Sequence, residues 1–424
     1  MAKTSSRYRY TVLVLLILVY SVNYLDRQLV SVLAPAMKAE LHLSDSQLGA
    51  LGGIAFAAIY ATLSIPVAMF ADRSNRTWVI TVALSVWSGF TALCGVATSF
   101  AQLFLFRLGV GVGEAGGVAP SYSVIAAYFP PHQRARALSV FSLGGPIGAA
   151  AGYVIGGWVA HAASWRTAFF AIGLFGLALA PIFRLIVKEP VRQLQSSQHA
   201  PSSRNAFRLL AGQPVFWLIS WGAAIAGVCS SAILFWLPSF MQRSQQMELV
   251  SSSQFVGSLV LIAGAVGLVA GGWLSEHFGV RDRGAYIRIP GIAFLVCTPI
   301  MAAGFFVSSL TLSFVLIVLA LSLTYFYLGP CLATVQDLVP ESMKSTAPAC
   351  MLLIVNLVSL GAGPWLVGAI SDIMMPAFGP EALRWALIST FPLYVVGGLM
   401  LIAASRIMKK DAITERLVYS VAEG

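Results

Sequence analysis

Residues 101–117 read Ala101-Gln-Leu-Phe-Leu-Phe-Arg107-Leu-Gly-Val-Gly-Val-Gly113-Glu114-Ala-Gly-Gly117. With its continuation to Tyr128 the run is long enough to cross a bilayer as a helix, which takes about 20 residues. Two ionisable groups sit inside it. A guanidinium or carboxylate at bilayer depth costs roughly 2.5–3.5 kcal/mol on insertion scales, so such groups mark an ion, proton or substrate path. Arg107 and Glu114 are seven residues apart, close to two turns, so they share a helix face about 10 Å apart. A third such group, Asp26, lies in the first apolar run of the chain.

The rest of the chain fits a membrane reading. Hydrophobic residues make up 58% of the 424 and charged residues 10%, where soluble domains carry about 25% charged residues. The mean hydropathy is +0.83. The first apolar run, Tyr10 to Leu25, lacks a small-residue cleavage site and leads into Asp26 and Arg27, so it is expected to stay in the chain. Cys94, Cys229, Cys297, Cys331 and Cys350 all fall in apolar runs without ligand spacing and read as small core residues. His161 and His277 have no partner ligands in sequence, so no metal is expected.

Apolar runs between polar breaks give twelve spans, near 10–35, 47–71, 78–98, 101–128, 136–160, 165–187, 212–240, 252–277, 287–307, 311–336, 346–374 and 382–406. The fifth and eleventh are expected to tilt or bend at Pro146 and Pro364. An even number of spans puts both termini on one side. Of the 26 Lys and Arg, 20 fall on that side, among them Arg73, Arg76, Arg134, Lys344 and Lys409. Four fall on the other: Lys38, Arg166, Arg243 and Arg384. That asymmetry orients both termini to the cytoplasm, and the membrane is expected to be the cell inner membrane. It also explains the net charge of +10 without nucleic acid.

A polar break at 188–211, rich in Ser, Gln and Arg, reads as a flexible linker between six spans and six. The expected domains are 1–187, the linker 188–211, 212–406, and a basic tail 407–424. The halves repeat local signals. Asp72-Arg73-Ser-Asn-Arg76 after span two is answered by Glu276-His277 after span eight. Arg134-Ala-Arg136 after span four is answered by Lys344-Ser-Thr after span ten. Gly144-Gly-Pro146-Ile-Gly148 in span five is answered by Gly361-Ala-Gly-Pro364 in span eleven. Three matched signals at nearly constant spacing argue for two homologous six-helix halves, a transporter design with its site between them.

On these residues the chain resembles the major facilitator superfamily. Asp72, Arg73 and Arg76 are similar to that family's loop between spans two and three, with Ala68 and Asn75 replacing glycines. Arg107 to Ala115 is similar to its span-four motif, which the resemblance ties to proton coupling. Gly144 to Gly148 is similar to the span-five Gly-Pro motif common in exporters. Asn23-Tyr24-Leu25-Asp26-Arg27 and Gly111-Val-Gly113-Glu114-Ala115 resemble the Spinster subfamily. That resemblance implies the superfamily's all-helical fold and an amphipathic, lysolipid-like or sphingosine-1-phosphate-like cargo.

Depth arithmetic pairs two of the buried charges. Asp26 lies about 16 residues into span one, roughly 24 Å at 1.5 Å per residue, and Arg107 about 6 residues, roughly 9 Å, into span four from the other side. In a core about 30 Å thick these depths nearly coincide, so an Asp26–Arg107 ion pair is expected, with Glu114 nearer the midplane. Either the three form a proton relay, or Asp26 and Arg107 form a static pair joining spans one and four. Arg27 lies about 100° round the helix from Asp26 and either snorkels outward or faces the cavity.

Asn23, Tyr24 and Tyr60 are cavity candidates from the first half; Trp221, Ser231, Tyr325 and Asn356 are candidates from the second, whose spans seven to eleven carry no charge away from their ends. Each also fits ordinary interhelix packing. Asp72, Arg73, Arg134 and Glu276 sit at expected cytoplasmic helix ends, as gate contacts or as solvated charges. No nucleotide loop, HExxH or nucleophile–base motif suggests an enzyme. The expected function is proton-coupled transport of an amphipathic substrate by a monomer with no cofactor. Organic-anion symport and multidrug export are the alternatives.

Overall fold

The computed structural model describes residues 6–190, 210–279, 282, 284–340, 343 and 346–422. Most of the expected linker, the side chain of Asp72 and the side chains of the tail beyond 409 lie outside the described residues. Among the described residues every regular element is helical.

The first half runs α1 (Ser6–Leu41), α2 (Asp45–Gly52), α3 (Ile54–Arg73), α4 (Arg76–Cys94), α5 (Phe100–Glu114), α6 (Val118–Tyr128), α7 (Pro131–Ser142), α8 (Gly144–Ala162) and α9 (Trp165–Ile186). The second runs α10 (Pro214–Arg243), α11 (Leu249–Gly279), α12 (Ala285–Phe306), α13 (Leu310–Thr324), α14 (Leu328–Asp337), α15 (Thr346–Phe378), α16 (Ala382–Ser389) and α17 (Pro392–Ala422). These helices make the twelve spans, several of them from two pieces.

Span four is broken between α5 and α6 for a readable reason. Gly116 N–H bonds to Gly113 O at 3.1 Å and Gly117 N–H to Glu114 O at 3.1 Å, so the helix tightens to three-residue bonds there. Pro120 follows and has no N–H to offer Gly116 O. Span ten repeats the device: a 3₁₀ turn at Tyr325–Tyr327 separates α13 from α14, and Pro330 is the third residue of α14. The internal repeat therefore extends to where these two spans break.

The expected bend of span five at Pro146 is corrected. The interruption falls earlier, between α7 and α8 at Leu143. Pro146 is the third residue of α8, in the first turn, where a missing N–H costs nothing. Pro364 lies inside the single helix α15, with no interruption assigned at it.

Two compact units can be described. The first comprises Met1–Gln195, Leu234–Leu261 and Pro364–Leu383. Its apolar core joins Val12, Leu16 and Val19 of α1 to Ile80, Leu84 and Trp87 of α4, Val124 of α6, Phe141 of α7 and Phe183 of α9. Span five lies against span one along a glycine stripe. A Cβ on Gly148 would come within 2.2 Å of Ser21 O, and one on Gly152 within 2.6 Å of Leu25 O. Lipid supplies no hydrophobic drive between helices, so such close backbone packing carries the association.

The second unit comprises Ser196–Ile233, Ile262–Gly363 and Arg384–Gly424. Tyr394 of α17 is fully buried there, 2.9 Å from the Ser230 hydroxyl of α10 and stacked on Phe294 of α12 at 5.8 Å. Gly291 and Gly398 pack against each other's backbone. Four of the five cysteines are buried and Cys350 is half-buried, all as free thiols.

Candidate functional site

The charged residues of spans one and four meet in the first unit. Asp26, Arg107 and Glu114 are each at most 2% exposed. Arg107 Nη1 lies 3.4 Å from Asp26 Oδ2, which is the pairing that depth arithmetic suggests. Thr91 of α4 donates its hydroxyl to Asp26 Oδ1 at 2.8 Å. Glu114 has a different partner: Arg27 Nε donates to its Oε2 at 2.8 Å. Two carboxylates thus hold two guanidinium groups, and each helix contributes one acid and one base.

The glycines of α5 bring these groups together. A Cβ on Gly113 would stand 2.4 Å from Trp87 N, and one on Gly111 would stand 3.0 Å from Phe56 O. Span four therefore presses onto α4 on one side and α3 on the other, and carries Arg107 and Glu114 into the packed interior.

Arg27 is the site residue whose direction sequence reasoning left open. Its guanidinium carbon lies 4.5 Å from the Phe56 ring centroid and 5.0 Å from those of Tyr24 and Tyr60. Rings around a cation replace part of its hydration, so Arg27 faces inward. A signal was available in the sequence: Tyr24, one turn from Arg27, with Tyr60 in the next span. Several polar atoms here have no partner among the described residues: Glu114 Oε1, Arg107 Nε, and both amide atoms of Asn23, which is 2% exposed. Buried polar groups are normally hydrogen-bonded, so these atoms mark places for water or a bound ligand.

The candidates of the second half lie apart from this cluster in sequence and are placed one by one. Ser231 donates to Ser359 O and to Val228 O, joining spans seven and eleven. Trp221 is exposed, Asn356 is half-buried, and Tyr325 sits at the 3₁₀ break of span ten. Among the gate candidates, Arg73 and Glu276 are exposed, and Arg134, in α7, donates from Nε to Phe129 O at 3.0 Å, just past the end of α6.

A second charged cluster went unread in the sequence. Asp45, the first residue of α2, is fully buried. Arg243 donates to both its oxygens, at 2.8 and 2.9 Å; Lys38 donates at 2.5 Å and Ser371 at 2.8 Å. Asp372 accepts from the backbone N–H of Asp45 and Ser46 at 2.9 and 2.8 Å, capping the start of α2. The helix start itself is legible, since Ser44 and Gln47 form a capping box. Lys38 and Arg243 are two of the four basic residues on the sparsely charged side. No local motif links Asp45 to Arg243, Ser371 or Asp372, which lie 198, 326 and 327 residues away.

An all-helical chain of twelve apolar spans, with opposed charges buried inside one half, has the architecture of a membrane transporter rather than an enzyme. A family model for the Major Facilitator Superfamily matches residues 16–364. The chain belongs to that superfamily, and within it to the Spinster type. It is 30% identical to a structurally characterised bacterial homologue of the human lysosomal transporter Spinster, in an inward-facing and unoccupied conformation; the match covers 96% of this chain and 99% of that one, with a TM-score of 0.88. It is 27% identical to Protein spinster homolog 1 of Xenopus tropicalis, over 96% of this chain and 83% of that protein. It is also 32% identical to an MFS-type efflux pump of Mycolicibacterium smegmatis, over 94% of this chain and 93% of that protein.

Proposed function

We propose that this chain is a proton-coupled secondary transporter of an amphipathic, lysolipid-like or sphingosine-1-phosphate-like substrate, working by alternating access as a monomer in the inner membrane with both termini cytoplasmic. The observation that carries the reading is the double pairing of Asp26 with Arg107 and Glu114 with Arg27. Neutralising one carboxylate frees its guanidinium. A freed Arg27, set among Tyr24, Phe56 and Tyr60, offers a cation inside an aromatic wall. That combination suits an anionic head group on an apolar body. Protonation of Glu114 and capture of an anion by Arg27 then favour one another, and this is the coupling. The proton gradient is the driving force, with no cofactor.

A second reading, export of varied apolar compounds, is favoured by the likeness to the mycobacterial efflux pump and by the Gly-Pro motif of span five. Reconstitution in liposomes under an imposed pH gradient separates the two. Sphingosine-1-phosphate, lysophospholipids, small carboxylates and cationic dyes are offered in turn. Gradient-driven movement of the lysolipids that is lost in Glu114→Gln supports the first reading. Transport of dyes or short anions alone overturns it.

A further inference from the structure

On the first unit, spans two, three and four enclose an open apolar groove of about 380 Å³, lined by Val67, Phe70, Trp78, Val82 and Val112, with Gly113 and Gly116 in its wall. That is within the range of roughly 300–1,000 Å³ in which small-molecule sites fall. Phe70, Trp78, Val82 and Val112 are between 43% and 63% exposed, so the groove opens sideways from the helices. A membrane groove of this kind is always bathed in acyl chains, and burial alone selects none of them. Selection must come from shape and from the mouth.

The mouth is basic. Trp78 stands in the first turn of α4, which opens at Arg76, and Arg73 closes α3 on the other side of the short Ser74-Asn75 loop. Arg184, in the last turn of α9, lies with its guanidinium carbon 4.9 Å from the Trp78 ring centroid. Its Nε is buried with no partner among the described residues. Among the described side chains here, Glu189 accepts from Thr77 N–H at 2.9 Å through Oε2, at the start of α4, and its Oε1 has no partner. Arg184 over the groove-lining Trp78, with Arg73 and Arg76 flanking the groove-lining Ser74 and Asn75, puts cations at the end of an apolar slot and complements a phosphate on a hydrocarbon chain. We propose that this groove is a binding site for one anionic phospholipid, separate from the transport site: an acyl chain lies between Phe70, Val82 and Val112, and the head-group phosphate is held by Arg184 with Arg73.

The wall of the groove connects the site to function. Gly113 and Gly116 flank Glu114 at the break between α5 and α6. A Cβ on Gly116 would meet Ala83 at 2.9 Å and Val67 at 3.3 Å, so only glycine leaves α3, α4 and the break this close. A chain seated in the groove props the break of span four from the lipid side.

The test uses the full-length protein, stripped of lipid in detergent and titrated with phosphatidylglycerol, phosphatidylethanolamine or inorganic phosphate, with native mass spectrometry and thermal unfolding as readouts. One phosphatidylglycerol is retained saturably and raises the unfolding temperature. Arg184→Ala weakens its retention about tenfold, as loss of one charge-assisted contact does, and Arg184→Lys restores part of it. Val82→Trp, filling the slot from its exposed side, removes retention while the apparent stability of the stripped protein is kept. Equal retention of phosphatidylethanolamine overturns the proposal. So does a full thermal shift from inorganic phosphate alone, or phosphatidylglycerol binding unchanged in both Arg184→Ala and Val82→Trp.

Discussion

Arg27 Nε lies 2.8 Å from Glu114 Oε2, while its chain neighbour Asp26 is held by Arg107. Adjacent residues of one helix thus reach opposite partners on another. Removing one member of a buried pair strands the other, at a cost of roughly 3–5 kcal/mol. Arg27→Ala is therefore expected to destabilise strongly, and Arg27→Ala with Glu114→Gln to be much milder than the two single losses added together. Thermal unfolding in detergent measures the cycle. Coupling of Arg27 to Asp26 stronger than to Glu114 would contradict the pairing.

Thr91 provides a gentler probe of the other pair. Its hydroxyl donates to Asp26 Oδ1 at 2.8 Å, and the Thr91 hydroxyl oxygen also lies 2.9 Å from Trp87 O. Thr91→Val keeps the shape and removes the donor. Hydrogen bonds to charged groups contribute about 1.5–3 kcal/mol, so a stability loss of that order is expected. If Asp26 carries protons, the pH dependence of gradient-driven uptake shifts as well. Thr91→Ser, which keeps the hydroxyl, is expected to restore the wild-type pH profile. An unchanged profile in Thr91→Val argues that Asp26 is structural.

Asp45 ties three separate parts of the first unit together: the end of α1 through Lys38, the end of α10 through Arg243, and α15 through Ser371. Gly368 has no Cβ because one would fall 2.2 Å from Asp45 O. These contacts hold α1, α2, α10 and α15 together within the first unit, and any movement that separates them must break the Asp45 bonds. Asp45→Ala removes the carboxylate to which both Lys38 and Arg243 are bonded. Arg243 is partly exposed, so the loss falls at the lower end of the range for a buried pair, about 3 kcal/mol. The readout is labelling of Ser31→Cys by an impermeant thiol reagent in a background without the five native cysteines. Ser31 is fully buried, its hydroxyl donating to Phe235 O at 2.5 Å. Labelling is expected to rise on the order of 100-fold in Asp45→Ala, 1.4 kcal/mol being a tenfold change. An unchanged rate would mean that Asp45 does not hold these helices together.

The membrane fold was legible because its cause is local. Apolar runs of spanning length, polar breaks and a lopsided Lys and Arg distribution each act within one segment. The Asp26–Arg107 contact was legible for a similar reason: helix rise converts sequence position into depth, and two charges at one depth attract. The direction of Arg27 was legible only in part: Tyr24 and Tyr60 offered it an aromatic wall, but rotation about a helix axis is set by packing against neighbours. Phe56 and Tyr60, which turn Arg27 inward, belong to the next span. Asp45 was hidden by distance, as its partners Arg243 and Ser371 lie on spans seven and eleven. The interruption of span five at Leu143 was misplaced onto Pro146 because proline breaks helices in general. Its harmlessness in a first turn depends on where the helix starts.

The glycine stripe of span five yields a contrast within one residue type. A Cβ on Gly148 meets backbone, Ser21 O at 2.2 Å, and neither helix can yield without moving the segment that carries Asp26 and Arg27. A Cβ on Gly89 of α4 meets nothing within 4 Å. Gly148→Ala is expected to destabilise by about 1–3 kcal/mol, as overpacking does. Gly89→Ala is expected to be neutral or to stabilise by up to about 1 kcal/mol, the helix preference for alanine. Unfolding temperatures of the two purified variants decide it. If span five is held to span one by side chains rather than by backbone contact, Gly148→Ala will resemble Gly89→Ala. If the stripe fixes the spacing, Gly148→Ala will also perturb the Arg27–Glu114 pair, lowering gradient-driven transport although residue 148 touches neither charge.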